Sequence, residues 1–179
     1  RVYYSGLPYI RVTVGEMIKG EMYLFVILAV LLTSVILYVL FRSFRVVFIS
    51  LLVVGIGVIW SLGTLTLFGY DLTLLTAIIP SLLVIIGVPS CIFLINKYHH
   101  EYRHHGNQTK ALYRVVTRVG SATFLSNLTT AIGFGAFIIT NTQVLKEFGV
   151  VASMNVMGVY FVSLMLIPII FSFTAPPQT

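Results

Sequence analysis

The sequence predicts an all-α fold: a polytopic bundle of five membrane-crossing helices with a short amphipathic helix on its inner side. Three observations predict it. Five apolar stretches, at about residues 22–41, 46–68, 72–95, 120–140 and 149–173, contain no Asp, Glu, Lys or Arg. A helix rises about 1.5 Å per residue and the bilayer hydrocarbon is roughly 30 Å thick, so each stretch is long enough to cross. The composition agrees, at 58% hydrophobic and 9% charged, against about a quarter charged in soluble domains. Finally, the eleven basic residues cluster at the ends of the apolar runs. They form no long stripe of the kind that binds nucleic acid, so a membrane rather than a nucleic-acid partner is expected.

The opening residues 1–20 lead into the first span, and their lack of a signal-peptide pattern together with Arg1 in place of Met predicts a piece of a longer chain. The first span, residues 22–41, is rich in Leu, Val and Ile and suits a lipid-facing helix. Only Arg42–Arg45 joins it to the second, and only Gly69-Tyr70-Asp71 joins the second to the third, so these three helices are expected to be antiparallel neighbours. Between the third and fourth spans lies NKYHHEYRHHGNQTKALYRVVTRVG. Within it, residues 109–119 carry Leu112, Val115, Val116 and Val119 at helical spacing, with Lys110, Arg114 and Arg118 on another face. This reads either as an interfacial helix with its cations toward anionic lipid headgroups or as a helix capping the bundle from below. The transmembrane unit thus covers residues 21–174, and the Pro176-Pro177 pair marks 175–179 as linker or tail.

Loop charge sets the expected orientation. One side holds Arg42, Arg45, Lys97, Arg103, Lys110, Arg114 and Arg118 against Glu101, while the other balances Arg1, Arg11, Lys19 and Lys146 against Glu16, Glu21, Asp71 and Glu147. The basic side is expected to be cytoplasmic, which puts the N-terminus outside and the C-terminus inside. A bacterial inner (cytoplasmic) membrane is the expected location.

Inside the spans, small residues suggest packing faces: Gly57 and Ser61 in the second, Ala131 and Gly135 in the fourth. Pro80 and Pro89 lie in the third, where each removes a backbone donor and predicts a kink or a local opening. Gly87, Pro89 and Ser90 therefore form a hinge candidate, with a static kink as the alternative. The polar residues Asn127, Thr129, Thr130 and Asn155 are candidates for a transport path or for helix-to-helix hydrogen bonds. No carboxylate lies at mid-membrane depth, and the four histidines, His99, His100, His104 and His105, are expected in a polar inner loop with only Glu101 as a further ligand. No metal site, cofactor or catalytic residue is assigned, and no enzyme is expected, because nothing resembles a nucleophile–base pair. Cys91 is the sole cysteine, which rules out an intrachain disulfide.

The runs GYDLTLLTAIIPSLLVIIGVPSCIFLINKYHHEYRHHG, KALYRVVTRVG, SNLTTAIGFGAFIITN and KEFGVVASMNVMGVYFVSLMLIPIIF resemble the resistance–nodulation–division transporter superfamily. The resemblance points to the branch holding the MMPL lipid exporters, the hopanoid exporters and the sterol-sensing, Patched-like proteins. Its most specific pieces are residues 128–134, LTTAIGF, and Phe148-Gly149. The resemblance implies helices two to six of one six-helix half, with residues 1–20 ending an extracytoplasmic domain. It further implies, as partners, a second homologous half, extracytoplasmic domains, membrane lipid and further copies in an oligomer. One departure stands out: the Asp-Tyr pair that proton-coupled exporters of the family carry falls here on Pro89 and Ser90. The expected function is the membrane domain of an exporter of lipid-like or other hydrophobic substrates, driven by an ion gradient through residues of the other half. The alternative is a non-transporting lipid- or sterol-sensing or scaffold domain.

Overall fold

The structure, a computed structural model, describes residues 7–70 and 73–173. The expected linker or tail at 175–179, and Asp71 of the loop before the third span, lie outside the described residues. The six α-helices are α1 (Leu7–Phe41), α2 (Phe44–Leu67), α3 (Leu74–His105), α4 (Gln108–Arg114), α5 (Gly120–Gly135) and α6 (Gln143–Phe173). Five helical segments are long and apolar enough to cross a membrane, α4 and α5 counting together as one.

Each turn has a local cause. Arg42 takes a left-handed conformation (φ 46°) to reverse the chain between α1 and α2. Helix α2 closes with Gly69 at φ +66°, where a side chain would be strained. Gly69 N–H donates to the Thr66 carbonyl and Tyr70 N–H to the Leu65 carbonyl, both at 3.1 Å, which satisfies carbonyls that the helix end leaves free. Thr73 and Thr76 cap each other reciprocally at the start of α3. Gly106, again left-handed, ends α3, and Asn107 caps α4 by accepting from the Thr109 and Lys110 N–H groups at 3.1 and 3.3 Å.

Helix α3 is the most buried of the spans and α1 among the least. Among the described residues of α1 a narrow row at Ile18, Met22, Ala29, Thr33 and Leu37 is buried, while Leu24, Ile27, Leu28, Leu31 and Val35 are exposed, as a lipid-facing helix requires. Helix α6 packs extensively on α2, α3 and α5, whereas α3 and α5 touch only lightly. Two large apolar clusters result, beside a small one of Ile18, Met22 and Ala77. The first large cluster gathers Leu37, Val53, Val84, Val88, Cys91, Leu94, Tyr98, Val115 and Ile167 toward the end of the bundle that carries the histidines, and the second gathers Leu65, Ile79, Leu83, Ala131, Val151, Val156 and Val159 toward the opposite end.

Three expectations change. The histidines are not in a loop: α3 continues to His105, because buried Tyr98 packs on Phe171 of α6 with ring centroids 4.8 Å apart. The segment 109–119 is helical and runs straight into the fourth span through a π-helical stretch, Val115–Val119. Its basic residues do not act as one lipid-facing row. Lys110 and Arg118 are exposed, but Arg114 sits 3.2 Å from Glu101, which also pairs with Lys97 at 3.3 Å. The wider π turn rotates Arg118 out of the register that an unbroken α-helix would give. Lastly, α3 is not opened at Pro80 or Pro89; it remains helical through both.

At this inner corner Gln108 Nε2 donates to the Phe171 carbonyl at 2.5 Å, taking up an end carbonyl of α6. Gln108→Leu removes that donor and is expected to expose the last turn of α6. Faster amide exchange confined to residues near Phe171 would confirm it, and unchanged exchange would refute it.

Candidate functional site

Several polar residues of the spans line one of two concave surfaces. The first is a cleft of about 290 Å³ between α3 and α5, where those helices stand apart, and it is lined by Ile86, Pro89, Ser90, Phe93, Ala122, Thr123, Ser126, Asn127 and Thr130. Four sequence-predicted residues, Pro89, Ser90, Asn127 and Thr130, thus meet in one place. Asn127 Nδ2 donates to Ser90 Oγ at 3.2 Å, a side-chain hydrogen bond between α3 and α5, and to the Thr123 carbonyl of its own helix at 2.8 Å. Thr130 donates to the Ser126 carbonyl at 3.1 Å. Hydroxyls and one amide are the polar groups of this cleft, so it can donate and accept hydrogen bonds to a passing group, with Pro89 and Phe93 as its apolar lip.

Pro89 supplies more than a ring. It lacks the N–H that would bond the Ile85 carbonyl, so α3 has one unmade backbone bond next to the cleft. Its side chain is exposed, whereas that of Pro80 is buried.

The second concavity is an apolar groove of about 650 Å³ between α2, α5 and α6, walled by Trp60, Ile132, Met154, Phe161 and Val162 and floored by small residues including Gly57, Ala131, Gly135 and Gly158. Asn155 belongs here, away from Asn127. Its Nδ2 donates to Thr64 Oγ1 at 2.8 Å and to the Val151 carbonyl at 2.7 Å. Its Oδ1 is buried with no hydrogen-bond partner. A buried acceptor without a donor costs roughly 1–3 kcal/mol, which is a reason to look for one.

Several candidates take other roles. Gly87 is buried, faces Val159 and Val54, and lines neither concavity. Thr129 is exposed, bonds the Leu125 carbonyl at 2.9 Å, and lines neither concavity. Gly57 and Ser61 are buried at the α2–α6 side as expected of a packing face, and Ala131 joins the second large cluster. Gly135 does not pack, for a Cβ there would meet nothing within 4 Å; the open space is the groove itself.

Sequence reading missed Val159, which wedges against Gly57 and Gly87, and Tyr160, whose hydroxyl donates to the Gly120 carbonyl at 2.8 Å where the π stretch returns to α-helix. A valine in an apolar helix gives no signal of its own. Tyr160 could have been found as a polar tip in hydrocarbon that needs a partner.

The Asn127–Ser90 bond yields a sharp expectation. Interhelical hydrogen bonds in membranes average about 0.6 kcal/mol, so Asn127→Leu is expected to leave stability nearly unchanged. A melting shift of more than a few degrees in detergent would show that the amide is chiefly structural.

The comparisons with known proteins can be set beside this geometry. The model of the MMPL family matches residues 1–177. A membrane protein of Methanocaldococcus jannaschii is 28% identical over 164 residues, covering 92% of this chain and 42% of the relative. The probable transport protein MmpL8 of Mycobacterium bovis is 27% identical over 142 residues, 77% of this chain and 13% of the relative. The sulfolipid-1 exporter MmpL8 of Mycobacterium tuberculosis is 29% identical over 82 residues, 46% of this chain and 8% of the relative. The chain therefore spans less than half the length of each. No solved structure matches. With five helices long and apolar enough to cross a membrane among its described residues and a family match over nearly its whole length, the chain is an integral membrane protein of the MMPL family.

Proposed function

We propose that this chain is the membrane region of a resistance–nodulation–division type exporter that moves lipid-like or other hydrophobic substrates. The observation that carries the reading is the cleft between α3 and α5, where an unmade backbone bond at Pro89 adjoins hydroxyls and an amide on a helix pair held together lightly. Helices so weakly joined separate at low cost, and a missing backbone bond gives α3 a place to bend. The similarity to a sulfolipid-1 exporter supports the substrate class. The five spans carry no Asp, Glu, Lys or Arg, so the driving ion gradient acts through residues of a second homologous half. That half, extracytoplasmic domains and surrounding lipid are the partners; the protein moves its substrate rather than converting it chemically.

The test is energised export by the full-length protein in proteoliposomes. Ser126→Trp fills the cleft from its α5 side and is expected to lower flux by about tenfold, the effect of roughly 1.4 kcal/mol on a barrier. Pro89→Ala restores the backbone donor and is expected to lower flux with protein abundance unchanged. Full flux in both variants would sink the reading. Orientation in a bacterial inner membrane is checked by cysteines placed at Ser43 and Tyr70: the first is expected to label only from the cytoplasm and the second only from outside.

A second reading rests on the groove beside Asn155, where a lipid hydroxyl would supply the missing donor to Oδ1. On it the domain holds lipid and controls a partner without transport. Crosslinking of a hydroxylated lipid to the groove, with no energy-dependent flux, would favour it.

A further inference from the structure

At the inner end of the bundle, the side chains HHxxRH of the loop-like sequence stand on a helix, which changes what they can do. His99, His100, Arg103 and His104 of α3, with Leu40 and Phe41 of α1, line a recess of about 610 Å³. Positions 99, 100, 103 and 104 recur at three- and four-residue spacing, so they share one side of α3. The rings of His100 and His104 lie 5.1 Å apart, and His99 is fixed by an edge contact to Phe41 at 6.4 Å and another to Phe171 at 6.1 Å. No described carboxylate lines the recess, and Glu101, the nearby acid, is buried between Lys97 and Arg114.

We propose that this recess binds a phosphomonoester, and that its source is the headgroup of an anionic membrane lipid. Arg103 offers the planar pair of donors that matches phosphate oxygens, and each imidazole brings at least one N–H donor in either charge state. The recess sits just past the end of the apolar part of α3, at the depth of lipid headgroups. Its other wall is the lipid-facing side of α1, where Val39 and Leu40 are exposed, so acyl chains have a surface to follow directly from the phosphate. A divalent metal fits less well, because a guanidinium stands beside the histidines and repels a cation. The site is separate from the transport cleft and does not depend on transport.

The probe is phosphatidic acid competing with phosphatidylcholine for the full-length protein in mixed micelles, with bound lipids counted by native mass spectrometry. The wild type is expected to retain phosphatidic acid in about fivefold preference or more, given the pull of basic residues at a membrane surface. The combined variant His100→Gln, Arg103→Gln, His104→Gln is expected to abolish the preference, and Arg103→Gln alone to lower it. Lys110→Gln with Arg118→Gln, on the exposed basic side of the next helix, is expected to keep most of it. These positions are exposed, and unchanged melting of each variant checks the fold. The proposal is overturned if Arg103→Gln and the combined variant keep the preference, or if the Lys110 and Arg118 changes remove as much of it. It also fails if millimolar inorganic phosphate displaces the lipid, which would make this a free-anion site, or if zinc binds through His100 and His104 while lipid preference is indifferent to them.

Discussion

Gly57→Ala is expected to destabilise the bundle by about 1–3 kcal/mol, the usual cost of overpacking a filled interior. A Cβ at Gly57 would stand 2.3 Å from Val159 Cγ2, far inside the contact distance of two carbons. The same valine also fills the space in front of Gly87, where a Cβ would stand 2.9 Å from Val159 Cγ1 and 3.1 Å from Val54 Cγ2. A β-branched side chain in a helix has essentially one favoured rotamer, so rotation does not relieve the clash. Val159 is thus a knob of α6 seated in a hole made by the bare backbone of α2 and α3. In lipid, where apolar burial does not drive helices together, such close seating is what holds them. Gly57→Leu is therefore expected to prevent assembly, seen as loss of folded protein at normal synthesis. Val159→Ala should restore much of the Gly57→Ala loss, with a coupling of about 0.5–3 kcal/mol in a double-mutant cycle. Additive losses would show that the wedge is not the cause.

Much of this architecture was legible beforehand, and the particular failures show why. The spans announce themselves through apolar length, since the bilayer imposes it. Helix ends beyond the hydrocarbon do not: α3 reaches His105 because Tyr98 meets Phe171 from a helix more than seventy residues later, which no local pattern reports. The π stretch at Val115–Val119 is likewise invisible, as its residues fit an α-helix equally well. Within the candidate site, Pro89, Ser90, Asn127 and Thr130 were identifiable as odd residues in hydrocarbon, yet their meeting depends on the relative rotation of α3 and α5. Gly57 and Gly135 looked alike as small residues. One faces a valine knob and the other faces open groove, a difference set entirely by the neighbour.

The same seating argument connects packing to movement. Helix α6 touches α2, α3 and α5, and its Val159 seat lies on the α2–α3 side. The α3–α5 pair, by contrast, is bridged by one Asn127–Ser90 bond across a cleft. Rearrangement is easiest where contacts are fewest, so opening of the cleft would leave the Val159 seat intact and carry α5 away from α3.

Such a motion of α5 has an anchor, and breaking it is the second large effect expected. Gly149→Ala is expected to cost about 1–3 kcal/mol, through a clash with backbone rather than with a movable side chain. A Cβ there would lie 2.8 Å from the Phe134 carbonyl oxygen, 3.0 Å from Phe137 Cβ and 3.4 Å from the Ile138 nitrogen. These atoms belong to the end of α5 and the 3₁₀ turn Ala136–Ile139 that follows it. The contact explains two sequence features together, for Phe134 closes the LTTAIGF run and Phe148 precedes Gly149, and their rings meet edge to face at 5.7 Å. The two runs that most specify the family are thus the two sides of one junction, where the outer end of α5 rests on the start of α6. Shifting the α5 end should displace Asn127 from Ser90 as well, so Gly149→Ala is expected to lower melting temperature and alter labelling of a cysteine placed at Ser126. A variant that melts like the wild type, with unchanged labelling at that position, would show that α5 is anchored elsewhere.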